Sequence, residues 1–246
     1  MLRTVKNLAD HLGLLVRRTS VARSNRKSIG GYTYETVLPY ATFAPWLGDH
    51  GFRKIYEAIS DNTLVDEYRC YELWELAAQV GHLAGSLLEV GVWRGGSGCV
   101  IAARAPAKKV YLCDTFCGVV KVSDKDTSYR GGEHADTSEE AVQALIKKMG
   151  LQNVAVLRGI FPDDFRREMD AERFCFVHLD VDVYLSAKEV MDFIWPRMPT
   201  GGIVVFDDFG FESCGGIPKL IDSYRGDRDK VIVHNLNGHA VLIKRA

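Results

Sequence analysis

Two acidic clusters, each directly behind an apolar run, are the residues of this sequence best suited to chemistry. Asp180 and Asp182 follow the first run, and Asp207 and Asp208 follow the second. Short apolar runs between polar breaks are typical of buried parallel strands. Because the carboxyl ends of such strands meet at the edge where open α/β sheets bind ligands, we expect the carboxylates to lie close together. Their repulsion needs a cation or a proton to offset it, so the clusters indicate a metal-assisted reaction.

A glycine-rich turn upstream is a second candidate for ligand binding. Gly91 and Gly95 lie between a predicted strand and a predicted helix, where a ligand can approach the backbone and the helix N-terminus. Trp93 occupies the position of the second glycine of a dinucleotide-binding turn, and its bulk leaves no room for a pyrophosphate. Asp114, at the end of the next predicted strand, is placed either to bind ribose hydroxyls or to cap a helix.

The elements that must position these residues alternate between strand and helix. Strands are predicted near 86–91, 109–114, 153–158, 174–180 and 202–207, and helices near 96–105, 137–149, 186–197 and 215–225. This alternation is typical of a doubly wound, mostly parallel α/β sheet. Asn237-Gly238 between two apolar runs predicts a C-terminal antiparallel hairpin. The hairpin, the glycine turn and Asp114 together favour a class I methyltransferase-like fold that binds S-adenosylmethionine.

The N-terminal part differs in pattern, and we expect residues 1–84 to form a helical and irregular cap and lid on a catalytic domain of residues 85–246. Within it, an amphipathic helix is predicted at 1–17, an irregular segment at 18–49, and helices near 50–60 and 64–81. The segment 115–136 lacks periodicity and is long enough to be a functional lid, with Gly131-Gly132 as a hinge.

Composition limits the classes of function. A net charge of −1 gives no indication of nucleic acid as a partner. No apolar run reaches the roughly 18 residues of a membrane span, and we expect no signal peptide. Six cysteines without a CxxC pair argue against zinc and disulfide frameworks and favour a reducing cytoplasm. The amphipathic N-terminal helix is compatible with a homo-oligomer or with packing on its own domain.

Five separated motifs resemble those of the sugar O-methyltransferase family that includes the macrocin, mycinamicin and novobiocin enzymes. They are Glu89-x-Gly91-x-x-x-Gly95-x-Ser97, the Val-Trp-Arg-Gly-Gly turn from Val92 to Gly96, Asp-x-Asp-x-Tyr from Asp180 to Tyr184, the pair Asp207-Asp208, and the segments 63–66 and 71–74. The resemblance covers roughly residues 38–244. It implies Mg²⁺-dependent transfer of a methyl group from S-adenosylmethionine to a sugar hydroxyl of a small-molecule or glycosylated substrate.

The resemblance also implies a role for each residue. Glu89 and Ser97 would hold the amino acid end of the cofactor, and Asp114 would hold its ribose. Contacts to the cofactor are also expected from Gly91, Trp93, Gly95, Asp180, Gly159, Ile160 and Phe161, the last three along the adenine. Asp180, Asp207 and Asp208 would bind Mg²⁺, and Asp182 would be the general base.

Alternatives remain open from the sequence alone. The catechol branch of the superfamily has Asn as its third metal ligand and a Lys base, whereas this chain has Asp208 and Val183 at those positions. A sugar acceptor is therefore favoured over a catechol-like diol, and a metal-dependent nucleotide-sugar transferase is a further alternative. His134 is a rival general base.

Asp182, the pair Asp207-Asp208 and His178 also have structural interpretations that involve no chemistry. Asp182 could cap the helix that begins near Ser186, and Asp207-Asp208 could be a solvated turn. His178 lies inside an apolar strand, which favours a hydrogen-bonded core histidine.

Overall fold

The structure, a computed structural model, describes residues 26–37 and 41–246. The amphipathic helix predicted at 1–17 lies outside the described residues. Within 26–37, strand β1 (Lys27–Ile29) pairs antiparallel with β2 (Tyr32–Tyr34). Gly30 and Gly31 form the turn with positive φ angles of 59° and 90°, which glycine adopts without steric cost. This hairpin occupies part of the segment that we predicted to be irregular.

Residues 41–246 form one compact unit. Its helices are α1 (Pro45–Gly48), α2 (His50–Ile59), α3 (Glu67–Gln79), α4 (Gly96–Arg104), α5 (Glu139–Lys148), α6 (Tyr184–Ile194) and α7 (Gly216–Ser223). Its strands are β3 (Ser86–Val90), β4 (Val110–Asp114), β5 (Val154–Arg158), β6 (Phe174–Leu179), β7 (Ile203–Phe206), β8 (Lys230–His234) and β9 (Ala240–Lys244). The predicted strands and helices of this unit are confirmed with small shifts at their ends, and α1 is an addition.

One seven-stranded sheet runs through the unit in the order β5-β4-β3-β6-β7-β9-β8. The first five strands pair in parallel, while β9 is antiparallel to both β7 and β8. The predicted parallel sheet with a C-terminal hairpin is thus confirmed. The strand order reverses between β3 and β6, and open sheets of this kind bind their ligands at the carboxyl ends beside such a reversal.

Helices cover both faces of the sheet, because its central strands are apolar on both sides. Phe174 and Val204 pack with Ile194 and Ile221 of α6 and α7 on one face. Phe176, Leu112 and Val205 pack with Leu73 of α3 and Ile101 of α4 on the other. Each such side chain contributes about 1.5–3 kcal/mol of burial free energy, so both helical layers hold the strand ends firmly in place.

The helices before residue 84 belong to this same unit. Asp66 caps α3 by accepting from the backbone N of Tyr68 at 3.0 Å and of Arg69 at 3.1 Å. Trp74 of α3 packs in one apolar cluster with Val100 of α4. The chain therefore has no break in packing at the predicted boundary 84/85; the division lies between residues 40 and 41. Among the described residues, no helix is long and apolar enough to cross a membrane.

Candidate functional site

The turn after β3 brings two strand ends into close backbone contact. Gly91 has a φ of 84°, and a Cβ atom added there would lie 1.7 Å from the carbonyl oxygen of Asp180. A side chain at this position is therefore excluded by both conformation and space. The close approach fixes Asp180, the first residue after β6, against the glycine turn.

Asp114 ends β4 and turns its carboxylate back to that glycine turn. Its Oδ2 accepts from the backbone N of Val92 at 2.7 Å and of Trp93 at 2.9 Å, and its Oδ1 accepts from Phe116 N at 2.7 Å. The cap of the next helix is Ser138 instead. The helix-cap interpretation of Asp114 is thus wrong, and this carboxylate orders the turn where Trp93 has a positive φ of 46°.

A cavity of about 280 Å³ opens at the carboxyl ends of the parallel strands. Its lining includes most of the residues selected from the sequence, namely Gly91, Trp93, Ser97, Asp114, His134, Gly159, Ile160, Phe161, Asp180, Asp182, Asp207 and Asp208. Gly159 has no space for a side chain, since a Cβ added there would meet Asp164 Oδ2 at 2.8 Å. Ser97, in the first turn of α4, and Asp114 supply polar groups that suit an amino acid end and a ribose.

Glu89 does not line this cavity. Its side chain is fully buried, and its Oε1 lies 2.8 Å from Nδ1 of His178 on the neighbouring strand β6. A Cβ at Gly98 would lie 2.5 Å from its Oε2, so the carboxylate is enclosed under α4. The expected contact between Glu89 and the amino acid end of the cofactor stays a prediction, and Glu89 Oε2 is buried without a hydrogen-bond partner among the described residues. Gly95 is also absent from the cavity lining. It is the N-cap residue of α4 and has a φ of 88°. His178 is the hydrogen-bonded core histidine that we predicted.

Three carboxylates meet at the ends of β6 and β7. Asp180, Asp207 and Asp208 each offer an oxygen within 4.8 Å of the others'. Burial, together with the charge of neighbouring carboxylates, raises the pKa of Asp180 and of Asp208 well above the usual range. Asp207 and Asp208 are only 4% and 5% exposed, so the solvated-turn interpretation is wrong. Buried oxygen donors that repel one another fit a hard divalent cation such as Mg²⁺.

Asp207 differs from its two neighbours in electrostatic environment. Burial acts to raise its pKa, but the neighbouring imidazoles of His178 and His239 and the charge of Arg69 hold that pKa well below the usual range. Its Oδ1 lies 2.9 Å from His239 Nε2, and its Oδ2 accepts from Arg69 Nη1. Asp207 therefore remains ionised where Asp180 and Asp208 are driven towards protonation.

Asp182 has a positive φ of 64°, and its side chain is held by two donors from other segments. The Tyr129 hydroxyl and the Cys214 thiol, at 3.6 Å, both donate to its Oδ1. Burial raises the pKa of Asp182, and the hydrogen bond from Tyr129 opposes that shift. The helix-cap interpretation is wrong, because the first amide of α6, Tyr184 N, donates instead to Asp126 Oδ1 at 2.9 Å.

The long loop between β4 and α5 lies along the cavity, as expected of a lid. Gly118, Val119, Val120, Tyr129 and His134 of this loop line the cavity. The loop is attached to α6 through the bond from Ser186 Oγ to Val120 O at 2.9 Å. Nε2 of His134, the alternative general base, lies 3.4 Å from the Tyr129 hydroxyl, which itself donates to Asp182.

Sequence reasoning missed the residues behind the carboxylates. Arg69 and Glu72 project from α3: Arg69 bonds Asp207 and Asp66, and Glu72 accepts from His239 Nδ1 and, at 2.9 Å, from Asn237 Nδ2. A signal was present for Arg69, because it lies beside Cys70 and one turn before Leu73, on the buried side of α3. Tyr129, Cys214 and His239 carry no comparable local pattern.

Comparison with known families gives a match over most of the chain. Residues 59–241 match the model of a family described as macrocin-O-methyltransferase (TylF). Two curated relatives are the 8-demethyl-8-(2,3-dimethoxy-alpha-L-rhamnosyl)-tetracenomycin-C 4'-O-methyltransferase of Streptomyces olivaceus and the mycinamicin III 3''-O-methyltransferase of Micromonospora griseorubida. The first is 32% identical over 156 residues, which are 58% of this chain and 58% of the relative. The second is 30% identical over 177 residues, which are 65% of this chain and 66% of the relative. The chain thus matches less than two thirds of the length of each relative.

Solved structures with the same fold are also found. The O-methyltransferase NovP superposes with a TM-score of 0.64 at 23% identity, over 75% of this chain and 82% of NovP. The calicheamicin methyltransferase CalS11 gives a TM-score of 0.59 at 17% identity, over 82% of this chain and 94% of CalS11. At these identities the similarity establishes the fold, and it confirms the methyltransferase-like sheet that we predicted.

Proposed function

This chain belongs to the macrocin O-methyltransferase family, and we propose that it transfers a methyl group from S-adenosylmethionine to a sugar hydroxyl, with the help of Mg²⁺. The acceptor is a glycosylated natural product or another saccharide with a vicinal diol. One observation carries the proposal: Asp180, Asp182, Asp207 and Asp208 line the same cavity as the glycine turn.

The two bound groups would supply what the side chains lack. S-adenosylmethionine would supply an electrophilic methyl group, and Mg²⁺ on Asp180, Asp207 and Asp208 would supply the Lewis acidity that lowers the pKa of a hydroxyl. Ser97 and the N-terminus of α4 would bind the amino acid end of the cofactor. The carboxylate of Asp114 would bind the ribose, and the segment from Gly159 to Phe161 would lie along the adenine.

Asp182 is the proposed general base. Its Oδ1 is engaged by Tyr129 and Cys214, so Oδ2 is the oxygen left to accept the substrate proton. Burial raises the pKa of Asp182, and a carboxylate with a raised pKa is a stronger base. Such a base contributes about 10²–10⁴-fold to rate. Enclosure of the acceptor beside the cofactor would contribute further through positioning.

Two alternative functions differ from the proposed one in what the site would have to contain. A catechol-like diol is disfavoured because Val183 is fully buried and apolar at the position of the catechol branch's lysine. A nucleotide-sugar transferase would need room for a pyrophosphate at the glycine turn, where Trp93 lines the cavity.

Thermal unfolding with S-adenosylhomocysteine, with and without Mg²⁺, tests the proposal. Ligand at 100 times its Kd should stabilise the protein by about 2.7 kcal/mol, a Tm rise of about 5–10 °C. Methyl transfer is then measured with neutral diol-bearing glycosides, a catechol and a nucleoside diphosphate sugar as acceptors. Stabilisation by a nucleotide sugar without stabilisation by S-adenosylhomocysteine would exclude the proposed reaction.

A further inference from the structure

Behind the acidic triad, a second group of possible metal ligands is completely enclosed. One ring nitrogen of His178, one ring nitrogen of His239 and an oxygen of Asp207 all lie within 4.8 Å of one another. Both imidazoles are 0% exposed, and the planes of the rings are inclined by 62°. The three residues come from β6, from the turn before β9 and from the end of β7.

The spacing of this group is that of ligands around one ion. His178 Nε2 is buried and lacks a hydrogen-bond partner among the described residues, and its nearest carboxylate oxygen is Asp207 Oδ1 at 3.5 Å. That separation is too long for a good hydrogen bond. It matches the edge of about 3.4 Å in a tetrahedron whose metal bonds are about 2.1 Å long. His239 Nε2 is hydrogen-bonded to the same oxygen at 2.9 Å, and a bound ion would replace this hydrogen bond.

The outer contacts of both histidines have the form that metal-binding histidines show. Nδ1 of His178 bonds Glu89 at 2.8 Å, and Nδ1 of His239 bonds Glu72. Histidines that bind metal through Nε2 almost always donate their other ring nitrogen to a carboxylate or carbonyl, which fixes the tautomer and increases ligand basicity. Here both histidines donate to carboxylates, that of Glu89 being buried and that of Glu72 half-buried.

We propose that His178, His239 and Asp207 form a binding site for a first-row transition-metal ion such as Zn²⁺, distinct in chemistry from the acidic triad but sharing Asp207 with it. Imidazole nitrogens suit zinc and its neighbours, whereas Mg²⁺ prefers oxygen donors. Arg69 remains on the other oxygen of Asp207. The ion joins β6, β7 and the β8–β9 turn and holds Asp207 in its place behind the cavity.

Metal titration of tag-free, chelator-stripped protein tests the site without any turnover. Zn²⁺ is added in the presence of excess Mg²⁺, which occupies oxygen-only sites, and bound zinc is measured by mass spectrometry of the metal. We expect one Zn²⁺ per chain and, with Co²⁺ as the probe, visible absorption bands of nitrogen and oxygen ligation. Wild-type protein that binds no Zn²⁺ under these conditions would overturn the proposal.

Matched variants assign the binding to these residues. His239→Gln and His178→Gln should each weaken Zn²⁺ binding by at least about 100-fold, and Glu72→Gln should weaken it by about 10–100-fold as an outer partner. Asp180→Asn, which alters only the acidic triad, and His82→Gln, at an exposed position, should keep wild-type affinity. Circular dichroism verifies that each variant is folded. If either histidine variant is unfolded, the site is tested by the Zn²⁺ affinities of Glu72→Gln, which should be weaker, and of Asp180→Asn, which should be unchanged. Equal Zn²⁺ affinity in wild type, His239→Gln and Glu72→Gln would exclude the site, whether or not the protein transfers methyl groups.

Discussion

The hydroxyl of Tyr129 donates a hydrogen bond to Oδ1 of Asp182, although one residue lies on the loop after β4 and the other follows β6. The pair gives the proposed base a fixed orientation. It also ties the conformation of the loop to the ionisation of Asp182, because the bond from Tyr129 acts to lower the pKa of that carboxyl.

Tyr129→Phe should lower kcat about 10–100-fold, since a hydrogen bond to a charged group contributes roughly 1.5–3 kcal/mol. Loss of the donor raises the pKa of Asp182, so the acidic limb of the pH–rate profile should move to higher pH. Steady-state kinetics across pH measures both effects. Tyr68→Phe, on the exposed face of α3, is the control. If the acidic limb of the pH–rate profile did not move in Tyr129→Phe, Tyr129 would have no effect on the ionisation of the general base.

Asp182→Asn should lose about 10²–10⁴-fold in kcat while binding S-adenosylhomocysteine normally, because it removes the proton acceptor and leaves the cofactor contacts intact. Calorimetry and a methyl-transfer assay measure the two properties. His134→Gln is the matched variant of the rival base and should retain most activity. A larger loss of kcat in His134→Gln than in Asp182→Asn would assign the proton transfer to His134.

Gly91→Ala should destabilise the protein by about 2–5 kcal/mol and abolish cofactor binding, since the added Cβ meets the Asp180 carbonyl and the backbone is left-handed. Gly150→Ala provides the control, because Gly150 has a φ of 69° with open space around it. That variant should lose only about 1–2 kcal/mol from conformational strain. Urea unfolding measures both, and equal losses would show that the close backbone contact contributes nothing.

Arg69→Met should cost about 3–5 kcal/mol, because it leaves the buried carboxylate of Asp207 without its guanidinium partner. Arg166→Met is the comparison: Arg166 pairs with Asp163 at 3.1 Å, but the two side chains are 57% and 45% exposed. Exposed pairs contribute about 0–1 kcal/mol. Chemical denaturation of both variants measures the contrast, which would vanish if Asp207 were neutral in the folded protein.

The stability of metal-stripped protein should fall between pH 6.5 and 9. Burial acts to lower the pKa of His178, but the neighbouring carboxylates of Asp207 and Glu89 raise it from 6.5 to about 9. The folded state therefore holds a proton that the unfolded state has released, so the stabilisation is complete below pH 6.5 and is lost as the pH rises through 9. The loss is about 3 kcal/mol. Denaturation at several pH values measures it; His178→Gln should remove this slope, and His82→Gln should keep it.

The carboxylates of the site could be predicted because they depend on local pattern alone. Asp180 and Asp207-Asp208 each end an apolar strand, and parallel register places such ends at one edge. The same reasoning located Asp114 at the end of β4 and the glycine turn after β3. Hydrophobic periodicity, which sets strand and helix positions, therefore also sets the position of the acidic triad.

The partners of those carboxylates could not be predicted, because long-range packing brings them together. Arg69 and Asp207 are 138 residues apart, and Glu72 and His239 are 167 apart. The burial of Glu89 has a different origin. It lies within β3, where its side chain points into the core with Leu87 rather than out of the strand end.

Because β9 lies between β7 and β8 in the sheet, the sheet can be completed only late in synthesis. Strand β7 has no neighbour on its outer side until residues 240–244 have left the ribosome, and His239 arrives with them. The sheet edge that carries Asp207 and Asp208 is thus among the last regions of the sheet that synthesis can complete, and the large sequence separation of its contacts favours slow folding of this region.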